Sequence, residues 1–147
     1  MKTATLFWPG SEAAVQGIRP THWRKMDASM SYESRIDQIL EWLDLPEKQR
    51  PRFLTLYIEE VNTIGHRYGP NSTEVIQAVE QVDHLLGKLL SGLAERNLNR
   101  SVNLVIVSDH GMAEMDESRV VFLDDFIDLD HCRVLQAGAV LQLIPKP

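Results

Sequence analysis

Two groups of polar residues follow two apolar runs of the chain, and their side chains are of types that bind metal ions. Asn62 and His66 lie in the polar segment 59–70 after the first run, and Asp109 and His110 directly follow the second run. Carboxylate oxygen, amide oxygen and imidazole nitrogen suit a borderline cation such as Zn²⁺. If both runs are neighbouring parallel strands, their carboxyl ends meet at one edge of a sheet. We therefore predict a shared metal site at that edge.

Each candidate ligand also has an interpretation without a metal. The Asp-His dipeptide occurs in many surface turns, and His66 alone could cap a loop or face solvent. His84 lies within a predicted helix, where a surface or interface position is expected, and the His131-Cys132 pair has no third ligand nearby in the sequence. The convergence of four residues, rather than any one of them, favours the shared site.

The adjacent carboxylates Glu59 and Glu60 suggest general acid–base catalysis. Successive residues of a strand point to opposite faces, however, so we interpret Glu59 and Glu60 as structural or supporting residues. The sequence contains no Gly-Lys-Ser/Thr phosphate loop, no GxGxxG motif and no GxSxG motif. Nucleotide binding through a phosphate loop or a dinucleotide-binding fold, and catalysis by a serine on a GxSxG turn, are therefore not indicated.

The elements that must position these residues are of the α/β type. Apolar runs at 3–8, 53–58 and 102–107 predict buried strands. Apolar residues at helical spacing over 32–43 and 75–93 predict two amphipathic helices. A strand, a helix and a strand in this order form a crossover with parallel strands. The predicted fold is a partial doubly wound sheet with parallel core strands and flanking helices.

Smaller signals complete this prediction. The segment 59–70 is predicted to be a polar loop, and Asn71 with Glu74 resembles a capping box at the start of the second helix. Weaker strand signals lie at 119–123 and 134–144.

The composition sets limits on function. The chain has 147 residues, enough for one domain or a piece of a larger one. Its 15 basic and 21 acidic residues give a net charge of −6, and no basic cluster is present, which argues against a nucleic-acid or anionic membrane partner. The single cysteine cannot form an internal disulfide. No apolar run approaches the roughly 18 residues of a membrane span, and no signal peptide is recognisable. The strand pattern that begins by Thr3 suggests an internal part of a longer protein.

Three motifs of the chain resemble the nucleotide pyrophosphatase/phosphodiesterase family of the alkaline phosphatase superfamily. They are FWPGSE at 7–12, YIEEVNTIGHRYGP at 57–70 and VSDHGM at 107–112, and their order and spacing also match. The resemblance extends over nearly the whole chain. It implies that residues 1–147 are a partial phosphodiesterase catalytic domain, the middle portion of the domain in that family.

The resemblance implies hydrolysis of phosphodiester or pyrophosphate bonds in nucleotides or related phosphodiesters. In such enzymes two zinc ions flank a threonine nucleophile, which attacks phosphorus and is then released from the covalent intermediate by water. By motif position, Asp109 and His110 match ligands of the zinc that activates the nucleophile. Asn62 and His66 match two ligands of the other zinc, where the family has aspartate in place of Asn62. A neutral amide should hold Zn²⁺ more weakly than a carboxylate does.

The resemblance also implies a small-molecule nucleotide or phosphodiester as substrate. Trp8 and Glu12 match a stretch that lines the substrate pocket, and the base-stacking tyrosine of the family falls near Met26. Family members work mostly outside the cytoplasm, which implies an extracellular, periplasmic or membrane-anchored location.

Other residues of the family have no counterpart in this chain. The nucleophilic threonine and the first metal-binding aspartate of the family lie upstream of Met1, and its last zinc-binding histidine lies downstream of Pro147. The alternative to an active hydrolase is therefore a catalytically incomplete remnant or pseudoenzyme that binds at most a metal or a partner. Apolar sheet surface left exposed without the missing strand could serve such an association.

Overall fold

The computed structural model of the chain describes residues 1–138 and 140–146. The chain divides into two compact units, and the boundary lies between Glu114 and Met115. The first unit contains a parallel sheet and three helices, and the second contains a two-stranded antiparallel sheet. Within the described ranges, no helix has the length and apolar character needed to cross a membrane.

Three parallel strands form the sheet of the first unit. They are β1 (Thr3–Leu6), β2 (His22–Arg24) and β3 (Phe53–Leu56), and β1 lies between the other two. The central strand is buried, and Leu6 is 0% exposed. The hydroxyl groups of Thr5 and Thr55 lie 2.7 Å apart across the β1–β3 pair, so these polar atoms satisfy each other. The predicted α/β class with a parallel sheet is confirmed.

The helix α1 (Tyr32–Asp44) connects β2 to β3 and packs on β1 and β3. Ser31 caps it, because the Ser31 hydroxyl accepts a hydrogen bond from the backbone N–H of Ser34. The predicted apolar stripe is buried against the core. The α1 prediction is confirmed.

The long helix α3 (Thr73–Glu95) lies against α1 and buries Leu85, Leu89 and Leu93. The predicted capping box begins one residue too early. Ser72 is the cap and accepts a hydrogen bond from the backbone N–H of Val75, whereas Asn71 donates to Glu114 at 2.9 Å. The helix itself is confirmed.

Most of the segment 59–70, residues 60–68, is a helix and not the predicted loop. The helix α2 (Glu60–Tyr68) is capped by Gly69. The backbone φ of Gly69 is +88°, a conformation that glycine adopts more readily than other residues. Three residues of α2 are β-branched and one is glycine, which gives the segment a weak helix propensity. Packing against α3 holds it in the helical state. Local sequence therefore gave the wrong prediction where tertiary contact decides.

The N-terminus of α2 is tied to α1 by a buried polar cluster. The guanidinium of Arg35 donates two hydrogen bonds to the carboxylate of Glu59, at 2.6 and 2.9 Å, and the hydroxyl of Tyr32 donates to Glu60 at 2.9 Å. These contacts agree with the interpretation of Glu59 and Glu60 as structural or supporting residues. Their predicted placement on opposite sides is wrong, because the chain turns from strand into helix at Glu59 and both carboxylates contact α1.

The prediction of a strand at 102–107 is also wrong. This segment has no regular structure, and the side chains of residues 104–107 are between 42% and 78% exposed. A strand needs a neighbour that accepts and donates its backbone hydrogen bonds, and no strand of the described chain pairs with these residues. An apolar run indicates that the side chains favour burial, but it does not show that a neighbouring strand is present to pair with the backbone. The parallel strands β1 and β3 are connected through α1 instead.

The second unit contains β4 (Cys132–Gln136) and β5 (Gln142–Pro145), which pair in antiparallel orientation with an irregularity between Val134 and Gln136. The weak strand signal at 134–144 therefore corresponds to parts of two strands, and Ala139 within it lies outside the described residues, as does Pro147. The signal at 119–123 does not produce a strand. Three short 3₁₀ turns, at Glu117–Arg119, Leu123–Asp125 and Leu129–His131, precede the hairpin.

Two glycines of α3 provide a test of the α1–α3 packing. A Cβ atom at Gly92 would overlap the buried side chain of Leu40, whereas Gly87 faces open space. We expect Gly87→Ala to raise the free energy of unfolding by about 0.5–1 kcal/mol, because alanine favours the helix. Gly92→Ala should lower it by about 1–2 kcal/mol, because overpacking outweighs that gain. Urea denaturation measures both, and equal stabilisation by the two variants would contradict this packing.

Glu59 provides a test of the polar cluster through pH. Burial raises the pKa of Glu59, but the hydrogen bonds and the charge of Arg35 outweigh it, so the net pKa lies below the ordinary value of 4.5. A carboxyl group with a lowered folded-state pKa stabilises the fold above its unfolded-state pKa, and the contribution is lost as the pH falls through the folded-state pKa.

We therefore expect Glu59→Gln to be less stable than the wild type at pH 7, with a difference that shrinks progressively below pH 4.5. Denaturation curves at a series of pH values measure this difference. A difference that stays constant down to pH 2 would show that the ionised carboxylate contributes nothing.

Candidate metal centre

Asn62 and His66 lie one helical turn apart on the same face of α2. The side-chain carbonyl oxygen of Asn62 is buried and has no hydrogen-bond partner, whereas His66 is exposed. Leaving a buried polar atom unsatisfied costs about 1–3 kcal/mol. The Asn62 oxygen is therefore an acceptor that is available to a ligand.

Asp109 and His110 lie in the irregular segment after residue 101, and both are exposed. The backbone N–H of His110 donates to Oδ1 of Asp109 at 3.1 Å, and Nδ1 of His110 lies 2.8 Å from the carbonyl oxygen of Gly111. A contact with a carbonyl oxygen requires Nδ1 to carry the proton, so Nε2 has the free lone pair. Nε2 lies 3.8 Å from Oδ2 of Asp109. Nε2 of His110 and Oδ2 of Asp109, two atoms of the kinds that bind metal ions, thus lie side by side.

Two contacts connect residues 112–114 to α2 and to the turn that follows it. The side chain of Met112 lies over Gly65, where a Cβ atom would come within 2.6 Å of the Met112 sulfur. The side-chain amide of Asn71 donates to Glu114 at 2.9 Å. A side chain at Gly65 would require the end of the Met112 side chain to move, so glycine allows Met112 to lie against α2 in this position. Sequence reasoning treated Gly65 only as part of a motif and did not anticipate this packing.

The end of β3 lies within the electrostatic reach of the irregular segment after residue 101. Burial raises the pKa of the Tyr57 hydroxyl, and the charges of Asp109 and Glu59 raise it further. Asp109, in that segment, therefore lies close enough to the end of β3 for its charge to act on Tyr57. Among residues 1–138 and 140–146, no three His, Cys, Asp or Glu side chains cluster closely enough to hold a metal ion. The shared four-residue site stays a prediction.

The residues assigned to the substrate pocket leave the same edge of the sheet. β1 ends at Leu6, which is paired in parallel with Leu56 of β3, so Trp8 follows β1 on the side where α2 follows β3. The Trp8 side chain is 41% exposed. Glu12 accepts a short hydrogen bond from the backbone N–H of Met26 and so ties together the two stretches that the resemblance assigned to the substrate.

The other histidines have positions consistent with structural roles. The His22 ring stacks on Trp42 at a centroid distance of 5.9 Å and contacts the backbone oxygen of Gln49 at 3.0 Å. His84 is exposed on α3. In the second unit, His131 lies 3.3 Å from Asp128.

Comparison with known proteins agrees with the motifs. The family model described as type I phosphodiesterase / nucleotide pyrophosphatase matches residues 1–147. The chain is 47% identical over 128 residues to the venom phosphodiesterase CdcPDE of Crotalus durissus collilineatus, covering 87% of this chain and 15% of that protein. It is 41% identical over 140 residues to ectonucleotide pyrophosphatase/phosphodiesterase family member 1 of Homo sapiens, covering 95% and 15%. The chain thus spans about 15% of the length of these curated relatives.

Solved structures give the same result. The murine ectonucleotide pyrophosphatase/phosphodiesterase 5, in an inactive form in complex with AMP, superposes with a TM-score of 0.87 at 32% sequence identity, covering 99% of this chain and 38% of that one. The human protein of the same name matches with the same TM-score and identity. The sheet, the helices and the motifs at the sheet edge, together with a family match over the entire sequence, lead to one conclusion: the chain belongs to the type I phosphodiesterase / nucleotide pyrophosphatase family.

Proposed function

We propose that this chain supplies metal ligands to a zinc-dependent phosphodiesterase that hydrolyses phosphodiester or pyrophosphate bonds in nucleotides or related compounds. The observation that carries the proposal is the buried, unpartnered carbonyl oxygen of Asn62, one helical turn from His66, in a chain of the phosphodiesterase family. An oxygen in this state gains a partner when a cation binds. Membership of the family supports phosphodiester hydrolysis as the class of reaction.

The donor atoms fit zinc. Asn62 and His66 offer an amide oxygen and an imidazole nitrogen, and Asp109 and His110 offer a carboxylate and the Nε2 lone pair. Zinc in catalytic sites is bound by nitrogen and oxygen ligands of these types. When bound, zinc supplies Lewis-acid stabilisation of the negative charge on a phosphoryl group. In this proposal Asn62 and His66 hold one zinc ion, and Asp109 and His110 hold the other.

Trp8 and Glu12 have separate roles in the proposed substrate pocket. The exposed Trp8 ring offers an apolar face on which a nucleobase can stack. Glu12 holds the backbone of Met26 and therefore shapes the loop around that face. AMP bound to the murine relative supports a nucleotide as the ligand. Because Met26 offers no aromatic ring, we infer a weak preference among nucleobases.

The names of the relatives also support a location. The related proteins include venom phosphodiesterases and ectonucleotide pyrophosphatases. We propose that this protein acts in an extracellular, periplasmic or membrane-anchored setting.

A second candidate function is favoured by Asn62. A remnant or pseudoenzyme would retain the fold while binding metal or a partner at most, and an amide ligand in place of a carboxylate is consistent with weakened metal binding. The exposed apolar residues 104–107 would be the surface for such a partner. Metal affinity and turnover distinguish the two functions.

The metal assignment predicts a pattern of zinc affinities. The chain should bind zinc weakly. The Asn62→Asp variant should bind zinc at least about tenfold more tightly, which corresponds to about 1.4 kcal/mol. Adding His66→Ala to Asn62→Asp should abolish this gain. The reason is that a carboxylate adds a charge at the position of the unpartnered oxygen. Calorimetric titration with Zn²⁺ measures the affinities. His84→Ala, an exposed histidine on α3, is the matched control and should change nothing. Tight binding of two zinc ions by the unaltered chain would contradict this prediction.

The reaction class predicts the behaviour of a chromogenic substrate. The 147-residue chain should not hydrolyse the nitrophenyl ester of thymidine monophosphate above background, because none of its motif-matched residues is the nucleophile that covalent phosphoryl transfer requires. In a protein that also supplies the nucleophile, hydrolysis should occur, and Asn62→Asp should increase its rate. Zinc-dependent turnover by the chain alone, abolished by Asp109→Ala, would contradict the assignment. Absence of turnover in both proteins would favour the pseudoenzyme.

A further inference from the structure

Arg35 is a charged residue in the core of the first unit. Its side chain is 1% exposed, which is rare for arginine unless every donor is paired. Nε donates to the carbonyl oxygen of Met30 at 3.3 Å, and Nη1 donates to that of Tyr57 at 3.2 Å. Nη1 and Nη2 together hold the carboxylate of Glu59. All three nitrogens therefore have partners.

The guanidinium connects the ends of β1 and β3 with α1 and with the start of α2. It lies over the ring of Phe7, just after β1, at 4.8 Å, and over the ring of Tyr32 in α1 at 4.6 Å. Its hydrogen bonds reach Tyr57, just after β3, and Glu59, the cap position of α2. One side chain thus fixes where β1, β3 and α2 stand relative to α1.

The helix α2 depends on this attachment more than other helices do. It has nine residues, and its cap residue makes no side-chain hydrogen bond to the helix backbone, whereas serines cap α1 and α3. Short helices of weak propensity are not stable by themselves. Glu59 uses its carboxylate to hold Arg35 instead of capping α2. The orientation of α2 is therefore set from outside the helix.

We propose that Arg35 is a positioning residue for the metal centre, which sets the rotation and height of α2 and so the positions of Asn62 and His66. Glu59 is the cap residue of α2 and lies three positions before Asn62. A rotation of the Arg35–Glu59 pair would therefore displace both ligands. A bidentate guanidinium–carboxylate contact fixes direction as well as distance, whereas the single charge of a lysine fixes only distance. The hydroxyl of Tyr32 adds a second tie through Glu60. This inference rests on the proposed metal role of Asn62 and His66.

The test uses Arg35→Lys, which keeps the charge beside Glu59 and removes the planar fork. The chain offers a matched control, because Arg96 holds Asp44 through two hydrogen bonds of 2.8 Å that connect the end of α3 to α1. Arg96→Lys makes the same chemical change away from α2. Backbone hydrogen exchange and titration with Co²⁺, followed by its visible absorption, are measured for both variants and the wild type.

We expect Arg35→Lys to accelerate amide exchange in α2 about tenfold or more while α3 stays within about twofold, since a hydrogen bond to a charged group contributes this much. The Co²⁺ affinity should fall by about tenfold as well. Arg96→Lys should leave amide exchange in α2 and the Co²⁺ affinity unchanged. If Arg35→Lys does not fold, Glu59→Gln takes its place in the test, because it retains the size of the side chain. It should accelerate amide exchange in α2 and not in α3.

Equal acceleration in α1, α2 and α3, or none in α2, would overturn the positioning role, because a merely structural arginine would act on the whole unit. The same holds if α2 exchange rises while wild-type Co²⁺ affinity is retained. If the wild type binds no Co²⁺ through His66, the proposed metal role of α2 is wrong, and the exchange pattern still decides whether Arg35 positions this helix.

Discussion

A buried arginine is the constraint around which the first unit is arranged. A charged group removed from water is destabilising by several kcal/mol unless geometry and hydrogen bonding compensate for it. Arg35 meets this condition through contacts to Met30, Tyr57 and Glu59 and through two aromatic rings. These partners come from three separate stretches of the chain, at residue 7, residues 30–32 and residues 57–59. In the arrangement that satisfies the guanidinium, α1, the ends of β1 and β3 and the start of α2 converge.

This arrangement explains how the candidate ligands come to lie where they do. The parallel pairing of β1 with β3 sends Trp8 and α2 from one edge of the sheet. The close approach at Gly65 lets Met112 pack on α2, and the segment that contains Asp109 and His110 lies alongside as a result. The substrate stretch and α2 thus follow strands that end at the same edge of the sheet, and Met112, close in sequence to the second predicted ligand pair, packs on α2.

The extent to which the site could be predicted follows from the kind of signal involved. Residue types and spacing were enough to predict Asn62, His66, Asp109 and His110 as ligands, because metal-binding chemistry requires specific atoms that the sequence states directly. The supporting residues left no comparable signal. Arg35 looks like any charged residue between apolar positions of α1, and its burial depends on Glu59, which lies 24 positions away. The unpartnered state of the Asn62 oxygen is likewise a property of packing.

The sequence by itself determined the α/β class, the strands β1 and β3, the long helices α1 and α3, and the family motifs. Each of these depends on periodicity or on residue identity within a short window. Only the tertiary structure decided that residues 60–68 fold as a helix and that 102–107 is not a strand. In the first case packing against α3 and the Arg35 contact overcome a weak propensity. In the second case a strongly apolar run has no neighbouring strand among the described residues, and a strand without a partner leaves its backbone hydrogen bonds unmade.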